Sequence, residues 1–154
     1  MTCYLVRHGT AASGPDDRTR PLTPAGRAEV LATARALASR GVEVAEIRHS
    51  GLARARETAN ILGETLTPPH GIHAAASLAP EGDPDVAAAE LELTVEPLML
   101  VGHLPHLARL AAALVGGAAL ERIAFAPATA VGLERRPDGW TLALVVPPRA
   151  GGGP

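Results

Sequence analysis

Apolar residues follow two rhythms along this chain. Short runs at Thr2–Val6 (TCYLV), Val44–His49 and Leu98–Val101 (LMLV) have the length and the Leu, Val, Ile and Tyr content of buried strands. Between them lie longer stretches with apolar positions at helical spacing. In the first, Thr23 precedes Pro24, a capping residue followed by a proline at the first helical position. Leu31, Ala34 and Ala38 fall on one face of that helix, with Val30 and Leu37 beside them, and Gly41 ends it. A second helix spans about Leu52 to Leu66 and gathers Ala55, Ala59 and Leu62 on one face. Val86–Leu93 and Pro105–Val115 predict two more.

The segments between these elements are polar. Gly9–Leu22 holds glycine, prolines and charged residues and reads as a loop. Thr67–Asp85 (TPPHGIHAAASLAPEGDPD) is a second loop, with room for a short strand at Ile72–Ala75. Ile123–Leu133 and Trp140–Val146 predict a β-hairpin around RRPDG, whose Pro-Asp-Gly is a turn signal. The expected fold is an α/β sheet covered on both faces, mostly parallel, with an antiparallel hairpin toward one edge. Residues 1–148 should form one domain, followed by a disordered tail at 149–154.

Composition narrows the chemistry. The chain has 154 residues and is 47% hydrophobic but only 2% aromatic, so its core must be built from Leu, Val, Ile and Ala. A net charge of −2 argues against a general nucleic-acid or membrane-surface binder, although positive charge can still be focused in one cleft. One cysteine, Cys3, excludes an intramolecular disulfide and a multi-cysteine metal site, and it lies in the first strand as a small buried residue. No stretch approaches bilayer-spanning length, which makes a cytoplasmic location the default expectation.

Three strands end in groups that could do chemistry. The first ends in Arg7-His8-Gly9, the second in His49-Ser50 with Arg54 in the next helical turn, and LMLV in Gly102-His103. In open α/β sheets the ligand crevice lies outside the carboxyl ends of the strands. Singly, Arg54 reads as a solvated helix arginine and His103 as a strand-end histidine; together the coincidence points to one site. Arginines supply fixed, planar donors for a phosphoryl dianion, and a histidine can attack phosphorus as a nucleophile. Charge spreading over the equatorial oxygens would be met by Arg7, Arg54 and His103. Gly9 would leave room for backbone to approach the phosphate. With arginines neutralising the charge, no metal or other cofactor is needed.

These motifs resemble the histidine phosphatase (phosphoglycerate-mutase-like) superfamily: RHG after the first strand, S-x-x-x-R-A-x-x-T at Ser50, Arg54, Ala55 and Thr58, and VGH after a late strand. RPLTPAG at Arg20–Gly26, LAPEGD at Leu78–Asp83 and GHLP at Gly102–Pro105 are similar to the SixA-type phosphohistidine phosphatases within it. The resemblance implies a phosphoglycerate-mutase-like three-layer α/β/α sandwich. It also implies that His8 is phosphorylated in the reaction, that Arg7, Arg54 and His103 form the phosphate pocket, and that Arg20 adds a further cation. Gly9, Ser50 and Glu81 complete the candidates for substrate contact.

Many members of that superfamily carry a carboxylic acid after a leucine in the loop following the second helix, or directly after the second catalytic histidine. Here Leu104 follows His103, and after Leu78 the first carboxylate is Glu81. A general acid matters most for a poor leaving group such as an alkoxide. An imidazole leaving from phosphohistidine is already a stable base with a conjugate-acid pKa of about 6.5. The expected activity is therefore hydrolysis of phosphohistidine on a signalling protein. A phosphomonoesterase of small phosphate esters, with Glu81 as acid, is the alternative, and a silent phosphohistidine-binding module is a third reading that the presence of His8 and Arg54 disfavours. A mutase fits less well, since a shallow pocket admits water. His49 reads as a strand-end residue, His70 and His73 as solvated, His106 as a helix-start residue near the cleft, Arg56 and Glu57 as solvated, and Trp140 as hairpin packing. Oligomeric state and partner identity are not legible.

Overall fold

The structure, a computed structural model, describes residues 1–117 and 123–148. Its strands are β1 (Thr2–Arg7), β2 (Glu46–His49), β3 (Ile72–Ala74), β4 (Leu98–Gly102), β5 (Ala130–Arg136) and β6 (Gly139–Val146). Its α-helices are α1 (Pro24–Ser39), α2 (Ala53–Leu66), α3 (Pro84–Glu92) and α4 (His106–Val115). The six strands form one sheet in the order β3-β2-β4-β1-β5-β6. Pairings β2–β3, β2–β4 and β1–β4 are parallel, and β1–β5 and β5–β6 are antiparallel. The expected mixed sheet with a hairpin edge is what the chain forms, and the LMLV strand is central. The expected tail at 149–154 lies outside the described residues. Among those described, no helix is long and apolar enough to cross a membrane.

Strict alternation along the central strands builds the two cores. Tyr4 and Val6 of β1 and Met99 and Val101 of β4 face α1 and α2, where they meet Val30, Leu37, Ala55, Ala59 and Leu62. Cys3 and Leu5, with Leu98 and Leu100, face α3 and α4, where they meet Leu91, Leu107 and Leu110. Each fully buried Leu or Ile contributes on the order of 2 kcal/mol. Cys3 is fully buried, and that burial pushes its thiol up to about 12.

α1 begins as its cap predicts: the Thr23 hydroxyl accepts from Gly26 N at 2.9 Å. Gly41, just past its end, takes φ +75°, a left-handed conformation that favours glycine. Its buried face is Val30, Thr33, Ala34 and Leu37, whereas Ala38 is exposed and Leu31 only half-buried, a shift from the expected Leu31, Ala34 and Ala38. The cause is Thr33, whose buried hydroxyl donates to the Ala128 carbonyl at 2.7 Å. A satisfied polar residue sits at a core position that an apolar pattern passes over.

The hairpin also starts later than expected, at Ala130 rather than Ile123. Pro127 has no N–H for a ladder, and Ala128 takes φ +65°, so the chain before Ala130 cannot run as a regular strand. It folds over the end of β1 instead: Ala128 N donates to Arg7 O at 3.0 Å and Arg7 N to Thr129 O at 3.1 Å. The turn falls where Pro-Asp-Gly places it, between Arg136 and Gly139. Trp140 packs in the core under this hairpin, its indole N–H donating to Glu92 at 2.9 Å and Arg135 lying 5.7 Å over its ring.

Candidate active site

Because β4 lies between β1 and β2, the carboxyl ends of all three strands are neighbours. His8 N donates to Gly102 O at 3.0 Å, tying the β1 end to the β4 end. The result is a cleft of about 370 Å³ lined by Arg7, His8, Arg20, Arg54 and His103, with Thr10, Ala11, Pro80, Leu104 and Pro127 as its walls. Sequence-distant groups therefore converge, as the strand-end argument expects. Among the described residues, no set of His, Cys, Asp and Glu is placed to hold a metal ion.

Each side chain is held by the elements beneath it. The His8 and His103 rings lie 4.9 Å apart, tilted by 52°. His8 Nδ1 lies 2.7 Å from the Gly9 carbonyl, which can only accept. That bond places the ring proton on Nδ1 and leaves the lone pair on Nε2. His103 Nε2 lies 2.5 Å from the Ser50 hydroxyl, which also accepts from Leu52 N at 3.4 Å. Ser50 thus touches the second imidazole and is absent from the cleft wall. Arg7 is anchored by Nη1 on the Phe125 carbonyl at 2.9 Å. Arg54 is 5% exposed and is held by Asp17, through Nη1 to the backbone carbonyl at 2.8 Å and Nη2 to the carboxylate at 3.4 Å. Arg20 donates to the same carboxylate from Nε at 3.1 Å and Nη2 at 2.9 Å. Arg7 Nε, Arg54 Nε and His103 Nδ1 are buried with no protein partner.

The electrostatics keep both imidazoles neutral. Burial, and then the charges of Arg54, Arg7 and Arg20, push His8 down to about 4 against the opposing pull of its bond to Gly9. Burial, then His8 and Arg54, push His103 down to about 3. Burial lowers Arg7 as well, from a value so high that the guanidinium stays charged.

Gly9 has a different reason to be glycine from the one the sequence suggests. A Cβ there would meet the Gly26 carbonyl and Val30 Cγ2, each at 2.8 Å, and a Cβ on Gly26 would strike the Thr10 carbonyl oxygen. The two glycines let the first turn of α1 lie directly on the loop after β1. The same loop is fastened by Thr58, which accepts from Gly9 N at 3.1 Å, and by Glu29, which takes Thr10 N and Oγ1, each at 2.9 Å. Glu57 is another fastener: it accepts from Leu22 N at 3.3 Å and pairs with Arg27 at 3.0 Å, so it is not the solvated residue expected.

Glu81 is exposed and does not line the cleft, although its neighbour Pro80 does. His106 is fully buried and lies against the loop at Gly82 rather than in the cleft. His49 is buried and accepts from Gly51 N at 3.0 Å, while His70 and His73 are exposed. Asp17 and Glu29 escape a reading of the sequence, and Thr58 stands there only as a motif member without a role, because what each does depends on which distant groups it meets. The one signal for Asp17 is its position three residues before Arg20.

Comparison with known proteins agrees with this geometry. The family model of the histidine phosphatase superfamily (branch 1) matches residues 3–77. An uncharacterized protein of Picosynechococcus is 35% identical over 141 residues, covering 87% of this chain and 85% of that protein. The phosphohistidine phosphatase SixA of Escherichia coli is 33% identical over 122 residues, covering 76% of each chain. A solved structure of the protein histidine phosphatase SixA complexed with tungstate superposes with a TM-score of 0.88 at 28% identity, covering 96% of this chain and 97% of that one. With strand ends, sequence and fold in agreement, the chain belongs to the histidine phosphatase superfamily, on its SixA-like side, and is a phosphatase.

Proposed function

We propose that this phosphatase hydrolyses phosphohistidine displayed on a signalling protein, through a covalent intermediate on His8. The observation that carries the reading is the make-up of the cleft. Three arginines and two neutral histidines line it, and among the described residues no carboxylate does. Such a site binds a phosphoryl dianion strongly and offers little help to an alkoxide leaving group. Before substrate binds, neither nearby group holds an acidic proton ready to give. His103 is neutral down to about pH 3. Asp17 is held below the usual carboxylate range by its bonds from Arg20 and then by Arg54.

In this mechanism the lone pair on His8 Nε2 attacks phosphorus as the bond from phosphorus to the substrate imidazole breaks. The departing imidazole leaves with that electron pair, neutral when its other nitrogen carries a proton. Arg7, Arg20 and Arg54 hold the equatorial oxygens. When Ser50 donates to His103 Nε2, the His103 proton sits on Nδ1, the nitrogen without a protein partner, and becomes a further donor to the phosphoryl group. Water then attacks the phosphorylated His8, releasing inorganic phosphate and restoring the neutral ring. The names of the Escherichia coli relative and of the SixA structural neighbour support a protein-borne substrate.

One observation favours a second reading. Pro80 is part of the cleft wall, which places Glu81 one residue away, and as an acid there it would make the protein a phosphomonoesterase of small esters. The leaving group separates the two. Turnover of a phosphohistidine peptide, an aryl phosphate and an alkyl phosphate should be compared for the native chain, His8→Ala and Glu81→Gln. The first reading expects the alkyl ester to be at least about a hundredfold slower than the other two, Glu81→Gln to change nothing, and His8→Ala to lose about a thousandfold or more. Comparable alkyl turnover that collapses in Glu81→Gln would establish the monoesterase instead.

A further inference from the structure

Asp17 is the one acidic side chain bonded to the arginines of the cleft among the described residues, and it reaches two of them at once. Its Oδ1 takes both Nε and Nη2 of Arg20, its Oδ2 lies 3.4 Å from Arg54 Nη2, and its carbonyl takes Arg54 Nη1 at 2.8 Å. The residue is itself fixed. It opens a short 3₁₀ turn, Asp17–Thr19, capped by Asp16, whose carboxylate accepts from Arg18 N at 3.0 Å. Arg20 has a second anchor on the Ala12 carbonyl at 3.3 Å, so the loop, Arg20 and Arg54 form one clasp.

The charges give this clasp a purpose. Arg7, Arg20 and Arg54 bring three positive charges to the cleft, the two histidines are neutral, and the Asp17 carboxylate subtracts one, leaving two. A bound phosphoryl dianion carries about two negative charges. Three unopposed arginines would retain inorganic phosphate after hydrolysis and slow the next cycle, because binding that is equally strong before and after the reaction does not raise turnover.

We propose that Asp17 is a positioning residue of the phosphoryl site: its carbonyl and carboxylate orient Arg54 and Arg20, and its charge lowers the net charge of the cleft so that phosphate is released. This inference rests on the reading of the cleft as the phosphoryl site. Asp17 acts through the arginines and takes no part in bond making.

Inhibition of aryl phosphate hydrolysis by inorganic phosphate tests it in the native chain, Asp17→Asn, Asp17→Glu and His8→Ala, with KM and kcat read separately. Asp17→Asn keeps the size of the side chain and an acceptor for Arg20 while removing the charge. Phosphate should inhibit it on the order of tenfold more tightly, with KM falling and kcat falling several-fold as release becomes limiting. Asp17→Glu should restore the native phosphate affinity to within about threefold. Adding Arg20→Gln should remove most of the Asp17→Asn effect, because the charge then has less to oppose. A merely structural lesion in the loop would weaken phosphate binding, the opposite sign. Native inhibition combined with unchanged or weaker phosphate binding in Asp17→Asn would overturn the role of Asp17 alone. If phosphate fails to inhibit the native chain, or His8→Ala keeps its turnover, the site reading falls and this inference falls with it.

Discussion

At the scale of single residues, the cleft depends on atoms that are missing as much as on those present. Gly9 and Gly26 are reciprocal: each stands where a Cβ would strike the backbone of the other's segment. Gly26→Ala should therefore cost about 2–3 kcal/mol or more, since its Cβ would meet a carbonyl oxygen that has no rotamer to escape into. Thermal melts of Gly26→Ala and of the exposed control Gly117→Ala, where a Cβ meets nothing within 4 Å, would check this. A loss in the first equal to that in the second would mean the loop relaxes freely. The histidines show the complementary case. A carbonyl acceptor beside His8 Nδ1 leaves the lone pair on Nε2, the tautomer that the proposed nucleophile requires, and burial keeps the ring neutral.

At the scale of elements, the site is a product of how α1 and α2 are fastened to the loop after β1. Thr58 is the joint. Its hydroxyl donates to the Arg54 carbonyl within α2 at 2.8 Å and accepts from Gly9 N at 3.1 Å. Thr58→Val keeps shape and burial but leaves that N–H without an acceptor, which should cost about 1–3 kcal/mol. It should also lower kcat/KM roughly tenfold, because Arg54 and His8 lose their common reference. Denaturant melts together with steady-state rates measure both; full activity at reduced stability would show that the bond serves only the fold. Much of this element-scale order was legible beforehand. Thr23-Pro24 marks the start of α1, Pro-Asp-Gly the hairpin turn, and Ala55, Ala59 and Leu62 the buried face of α2. The segment before Ala130 was not, because an apolar composition there conceals a proline and a positive φ that bend it into the wall of the cleft.

At the scale of the molecule, burial of titratable rings links stability to pH. His8, His49, His103 and His106 are all lowered from their ordinary values, in each case by burial first. The unfolded chain takes up their protons near pH 6.5, whereas the folded chain holds His8 and His103 neutral down to about 4 and about 3. Between those limits the unfolded state binds more protons, so stability is full above pH 6.5 and is lost as pH falls through that window. The melting temperature should drop on the order of 10 °C between pH 7 and pH 5. A flat profile would show that the rings are solvated in the native state. Activity has its own limb: with His8 neutral to about 4, the acid fall of kcat/KM, corrected for ionisation of the substrate, should be centred near that value and not near 6.5.

The sequence by itself determined the layered fold and the meeting of Arg7, His8, Arg54 and His103. Both follow from local rules: the hydrophobic period sets the elements, and an α/β sheet brings successive strand ends to one edge. It also carried the resemblance that implied a phosphatase. Only the tertiary structure decided how these groups are held and balanced. That Asp17 clasps two arginines, that Ser50 touches His103 rather than the cleft, that Glu81 stands outside it, and that Gly9 serves packing against α1 all depend on atoms brought within a few ångströms from distant parts of the chain. Hydrogen bonds and steric contacts decay over such distances, and a linear pattern carries no record of which distant partner a side chain will meet.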